Sequence, residues 1–132
     1  MTDKGEAIVA RARALIGVRF RPQGRSAAGG LDCIGLAAAA AGVAGVPGRY
    51  ALRGGSVATL AAGLRAAGFR PCGTPTPGDL MVLRAGPEQL HLGVWTGRGL
   101  VHADAGLRCV VERPGVPLWP VLSIWRRVFK EV

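Results

Sequence analysis

The stretch Gly29-Gly30-Leu31-Asp32-Cys33-Ile34-Gly35-Leu36-Ala37-Ala38-Ala39-Ala40 runs from a Gly/Ser-rich loop straight into an apolar helix and leaves a thiol at the junction. A helix N-terminus carries unpaired backbone N–H groups and the positive end of the macrodipole. It therefore favours thiolate over thiol and can also hold a developing oxyanion. Asp32 suits the N-cap position, accepting a hydrogen bond from an amide one turn inside. Asp32, as N-cap, and Cys33 are thus the expected N-cap and oxyanion support at this point. Cys72 and Cys109 lack such a setting and read as small, buried hydrophobes.

A nucleophilic cysteine needs a base, and the chain has two histidines, His91 and His102. In Leu90-His91-Leu92-Gly93-Val94-Trp95 a period of two puts Leu90, Leu92 and Val94 on one face and His91, Gly93 and Trp95 on the other. Thr96-Gly97-Arg98-Gly99 reads as a hairpin turn into Leu100-Val101-His102-Ala103-Asp104, in a register that sets Gly93 opposite His102. His102 then becomes the diagonal, same-face neighbour of His91. The missing side chain at Gly93 is expected to give the imidazoles and the helix end room to meet. A slip of one residue would send His102 to the other face. The same register puts Asp104 opposite His91. A cysteine, then a histidine on a strand, then a polar residue on the next strand suits acyl transfer: Cys33 attacks a carbonyl, His91 takes and returns the proton, and a third group fixes the ring's tautomer. On geometry that third group is either His102 or Asp104.

Gly17-Val18-Arg19-Phe20-Arg21-Pro22-Gln23-Gly24-Arg25, Leu31-Asp32-Cys33-Ile34-Gly35-Leu36, Pro77-Gly78-Asp79-Leu80, His91-Leu92-Gly93-Val94-Trp95 and Val101-His102-Ala103 together resemble the NlpC family of cell-wall cysteine endopeptidases. The likeness runs from about residue 5 to the end, in family order. The wording from Phe20 to Arg25 is most similar to short members encoded with tailed-phage and gene-transfer-agent tail genes. The resemblance implies Cys33 as nucleophile, His91 as base and His102, rather than Asp104, as third residue. It implies the peptidoglycan stem peptide as substrate, commonly cut between D-glutamate and a diamino acid. It also implies phage-like tail proteins as partners. Many members carry a tyrosine where this chain has Phe20, whose ring lacks the hydroxyl associated with recognising the stem peptide. Phe20 and Arg25 are the expected substrate-binding residues, Arg25 by pairing with a stem carboxylate.

The remaining features bound these expectations. A length of 132 residues suits a single domain, residues 1–132, without a separate wall-binding module. Asp3 and Glu6 stand where a signal peptide would be apolar, and no apolar run reaches membrane-spanning length. The expectation is a protein made in the cytoplasm with reduced thiols and no membrane partner, carried to the wall in a tail particle. No close pair such as Cys-x-x-Cys or His-x-x-x-His suggests zinc, and no cofactor is expected. The net charge of +9 comes almost wholly from arginines, yet only Arg126-Arg127 are adjacent. That scatter argues against nucleic acid and suits either an anionic wall or a compositional bias. Asp79 reads as a turn residue.

Helices are expected over Asp3 to Ile16, Cys33 to Ala41 and Ser56 to Ala67, the last capped by Ser56 and stopped at Gly68. Strands are expected at about Leu80 to Leu83, Leu90 to Trp95, Leu100 to Ala103, Cys109 to Glu112 and Val121 to Val128. Helices first and strands afterwards make an α+β fold with an antiparallel sheet, in agreement with a papain-like core. Two other functions keep these residues: a structural tail-tip protein with little turnover, and an amidase or acyltransferase using the same Cys-His pair.

Overall fold

In the computed structural model, residues 3–43 and 56–128 are described. Helix α1 (Asp3–Ala14) ends two residues before the expected boundary. Gly17, at φ +92°, turns the chain toward the sheet. Helix α2 (Cys33–Ala41) has the expected bounds and closes at Gly42, whose left-handed φ of 73° lets its N–H reach back to the last turn. Helix α3 (Val57–Ala66) is capped by the Ser56 hydroxyl, which accepts from the Thr59 amide, and is followed by Gly68 at φ +91°.

Two short strands, β1 (Arg25–Ser26) and β2 (Gly30–Leu31), pair just before α2. The main sheet contains β3 (Phe69–Cys72), β4 (Leu80–Gly86), β5 (Gln89–Trp95), β6 (Gly99–Asp104), β7 (Cys109–Pro114) and β8 (Val121–Arg127), antiparallel in the order β3-β8-β4-β5-β6-β7. Sequence pattern missed β1, β2 and β3. The first pair is too short for any period to show, and β3 contains Pro71, which is admissible because β3 is an edge strand.

The sheet buries both faces unequally. Leu90, Leu92 and Val94 of β5 and Val101 and Ala103 of β6 join Ile8 and Ala12 of α1 and Leu36, Ala37 and Ala40 of α2 in the main core. The small residues of α2 let it lie close to the sheet. The Arg11 guanidinium donates to the Ala40 carbonyl at 2.7 Å, tying α1 to the end of α2. On the opposite face Met81, Leu83 and Leu100 form a smaller cluster with Trp95, Trp119 and Ile124 around it. A buried Leu or Ile contributes about 1.5–3 kcal/mol, so the first cluster dominates the burial that fixes α2 on the sheet.

The turn before β4 is held from outside. Asp79, 2% exposed, accepts from the Arg126 guanidinium at 3.0 and 2.9 Å and from the Thr76 amide at 2.7 Å. Its expected role as a turn residue thus extends to anchoring β8. No helix among the described residues is long and apolar enough to cross a membrane.

Candidate active site

The β5–β6 ladder pairs Val94 with Val101 and Trp95 with Leu100. The Thr96 amide donates to the Gly99 carbonyl at 2.9 Å, closing the hairpin around Gly97 (φ +95°) and Arg98. Continued, this register sets Gly93 against His102 and Asp104 against His91, as the sequence spacing requires. The two imidazoles meet: His91 Nε2 lies 2.9 Å from His102 Nδ1, with the rings perpendicular. Leu100 occupies the space at Gly93, contrary to the expectation that the imidazoles would use it. A Cβ there would sit 2.6 Å from the Leu100 side chain.

Cys33 is the first residue of α2, and Asp32 is its N-cap. The Asp32 carboxylate gathers the surrounding loop. Oδ1 accepts from the Gly35 amide at 2.8 Å and from the Arg25 guanidinium at 2.6 Å, and Oδ2 accepts from the Gln23 amide at 3.1 Å. Gln23 adopts φ +58°, an uncommon conformation for a residue with a side chain, in the turn that brings its N–H to Asp32. Gly35 is required by packing: a Cβ would collide with the Gly24 carbonyl oxygen, against which the first turn of α2 rests.

A cleft of about 520 Å³ is lined by Phe20, Gln23, Asp32, Cys33, Gln89, His91, His102, Asp104 and Trp119 among others. The cysteine, both histidines and Phe20 are therefore brought together. Phe20 is delivered by the segment after α1, which runs beside β7: Gly17 donates to Val110 at 2.8 Å and Phe20 to Arg108 at 2.9 Å. Arg25 stands apart from the cleft lining. Its guanidinium is directed to Asp32 and to the Gly24 carbonyl.

Trp119, in the loop before β8, was not singled out by sequence. Its ring packs edge-on to both imidazoles, with centroids 5.2 Å from His91 and 5.6 Å from His102. Nothing in Pro117-Leu118-Trp119-Pro120 has a period that would place it there. Gln23 and Gln89 are further polar members of the cleft lining, equally silent in the pattern.

Burial sets the protonation states. Cys33, 3% exposed, has its thiol pushed up to about 12, chiefly by desolvation and further by the Asp32 charge. The backbone groups of Leu92, Ile34 and Cys33 act in the opposite direction. Desolvation, then the neighbouring His102, brings His91 down to about 4, against the pull of Asp104. His102, 1% exposed, is also lowered by desolvation. At neutral pH the resting site is thus a thiol beside two neutral imidazoles. Since His91 Nε2 faces His102, its Nδ1 is the nitrogen left to receive a proton. Among the described residues no group of three or more His, Cys, Asp or Glu is arranged to hold a metal ion.

No protein-family model and no curated protein matches the chain by sequence. Solved structures do. NlpC1 from Trichomonas vaginalis superimposes with a TM-score of 0.68 at 20% identity, over 96% of this chain and 46% of that one. The P60 domain of an antigen from M. avium subspecies paratuberculosis gives 0.63 at 21%, over 97% and 96%. The NlpC/p60 domain of the peptidoglycan hydrolase SagA gives 0.56 at 25%, over 83% and 88%. This chain spans about half the length of the Trichomonas protein and nearly the whole of the M. avium domain. The α+β fold is that of NlpC/p60 papain-like domains.

Proposed function

We propose that this chain is an NlpC-type cysteine endopeptidase that hydrolyses the peptide stem of peptidoglycan. The observation that carries the reading is the 2.9 Å contact between His91 and His102 in the same cleft as Cys33 at the N-terminus of α2. The similar structures, NlpC/p60 domains with a peptidoglycan hydrolase among them, support the substrate class. A D-glutamyl bond to a diamino acid is the bond proposed, from the sequence resemblance.

In this mechanism the Cys33 sulfur attacks the scissile carbonyl as its proton passes to His91 Nδ1. The carbonyl electron pair moves onto oxygen, where the N-terminal amides of α2 face it. Collapse of the tetrahedral intermediate breaks the C–N bond, and His91 returns the proton to the departing amine. Water then cleaves the thioester, with His91 again taking and returning a proton. Because His91 and Cys33 are both neutral at rest, charge separates only as attack proceeds. His102 accepts from Nε2–H and keeps His91 in the working tautomer. Phe20 and Trp119 supply cleft walls. Arg25 acts through Asp32, beneath the nucleophile.

The wording from Phe20 to Arg25 extends the proposal to a component of a phage-like tail that opens the wall of a new host. The test of the central reading is digestion of defined stem peptides by wild type and Cys33→Ala, with products identified by mass spectrometry. Cleavage by wild type alone is expected and names the bond. No cleavage by folded, reduced wild type overturns the reading in favour of a structural role.

A further inference from the structure

Among the described residues two carboxylates, Asp32 and Asp104, line the cleft, and they are differently engaged. Asp32 is ion-paired with Arg25 and accepts two backbone N–H bonds. Asp79 and Glu112, elsewhere in the molecule, are likewise paired with Arg126 and Arg13. Asp104, half-buried at the end of β6, accepts a hydrogen bond from the Leu107 amide at 2.9 Å through Oδ1 and has no ion-pair partner among the described residues. Continued from the Val94–Val101 and Trp95–Leu100 pairs, the β5–β6 register brings Asp104 opposite His91, two residues beyond His102, and all three line the cleft. The group touching His91 is His102, which is buried and neutral. A neutral imidazole can orient its neighbour through a hydrogen bond. It brings no net negative charge to a ring that becomes cationic.

We propose that His102 and Asp104 divide between them the work of a third residue: His102 orients the His91 ring, and Asp104 is a positioning residue whose carboxylate stabilises the imidazolium formed when Cys33 attacks. The proposal rests on the peptidase reading above. No proton reaches Asp104. The S–H bond breaks, the proton rests on His91 Nδ1, and the carboxylate offsets the positive charge until the leaving amine takes the proton. The other groups facing His91 cannot replace it. Leu83 is its β4 neighbour and Trp119 packs edge-on, and Arg113 of β7, which acts on His102, has the wrong sign. Asp32 lies on the nucleophile's side and is neutralised by Arg25. Asp104 raises the proton affinity of both histidines, in line with this role.

Asp104→Asn keeps an oxygen for the Leu107 amide and removes the charge. Two readouts are taken from wild type and variant: the His91 titration by NMR of labelled imidazole, and kcat and KM on a defined stem peptide. The expected result is a His91 midpoint lowered by about half a unit or more and a kcat reduced about tenfold, with KM within about twofold. Asp104→Glu is expected to recover much of kcat. If Asp104→Asn does not fold, Asp104→Ser, which also retains an acceptor, carries the same test. An unmoved midpoint overturns the proposal while leaving the peptidase reading intact. So does a loss confined to KM, which would make Asp104 a subsite for a substrate cation. A wild type that cleaves no stem peptide, with the midpoint shifting as expected, overturns the peptidase reading and leaves the charge coupling standing.

Discussion

Acidification from pH 7 to pH 4 should weaken the fold through His91, and the effect has a calculable size. An imidazole in the unfolded chain titrates near 6.5, and in the folded site His91 is held down at about 4, mainly by desolvation. Between these values the unfolded chain binds a proton that the folded one refuses, so stability is fully present above pH 6.5 and is lost as pH falls through about 4. A shift of about 2.5 units corresponds to roughly 3 kcal/mol over this interval, at 1.36 kcal/mol per unit. That is a large part of the 5–15 kcal/mol usual for a single domain. His102, also lowered, works in the same direction. Glu112 adds acid sensitivity too, because Arg13 and Thr96 hold its carboxyl low. A comparison with His91→Asn removes these shared contributions. Urea unfolding followed by tryptophan fluorescence at pH 7, 5.5 and 4 should show wild type losing about 3 kcal/mol more than His91→Asn across the range. Equal losses in the two proteins would refute the claim that burial keeps His91 neutral.

Alkylation of Cys33 by iodoacetamide should accelerate continuously from pH 6 to pH 9, because burial pushes the thiol up to about 12; a rate plateau between pH 5 and 8 would instead mark a preformed thiolate–imidazolium pair. Arg25→Ala should lower stability by about 2 kcal/mol, since it removes a charge-assisted bond to a nearly buried carboxylate. It should also lower kcat more than it raises KM, whereas a rise in KM alone would show Arg25 acting on substrate directly. Gly35→Ala should cost about 3 kcal/mol in denaturant unfolding, as its Cβ meets the Gly24 carbonyl; a loss below 1 kcal/mol would mean that α2 can lift from the loop.

How far the site was legible follows from how local each signal was. Asp32 and Cys33 could be read because capping, helix start and apolar run lie within one short segment, and α2 begins and ends where that segment says. His91 and His102 could be related because a tight hairpin transmits its register over a few residues. The use of Gly93 was misread, since a strand pattern says which face a gap opens on but not which neighbour fills it. Leu100 fills it, from across the hairpin. Trp119 was invisible for a related reason. It reaches the imidazoles from a loop between Pro117 and Pro120, where no period operates and tertiary closure alone decides the contact. Arg25 could be placed beside the nucleophile's loop, but its pairing with Asp32 depends on the β1–β2 turn that no pattern announced.

In the proposed mechanism, the charges around the buried, neutral pair have a consistent arrangement. A site that separates charge only during attack benefits from surroundings that stabilise the separated pair more than the resting one. The low-dielectric setting that suppresses ionisation at rest also strengthens every fixed charge and dipole aimed at the transition state. In the proposed mechanism, those dipoles on the sulfur and oxyanion side are the first amides of α2. Capping that helix with Asp32 places a negative charge next to the developing thiolate, which is the wrong sign for the reaction. Arg25 and the Gln23 and Gly35 amides engage that carboxylate, so the cap secures the helix while its repulsion is reduced. On the imidazole side the sign requirement is opposite, and there Asp104 has no arginine partner among the described residues. In the proposed mechanism, an ion-paired Asp32 on one side and an Asp104 with no ion-pair partner among the described residues on the other give the two sides of the centre the opposite polarities that sulfur attack requires.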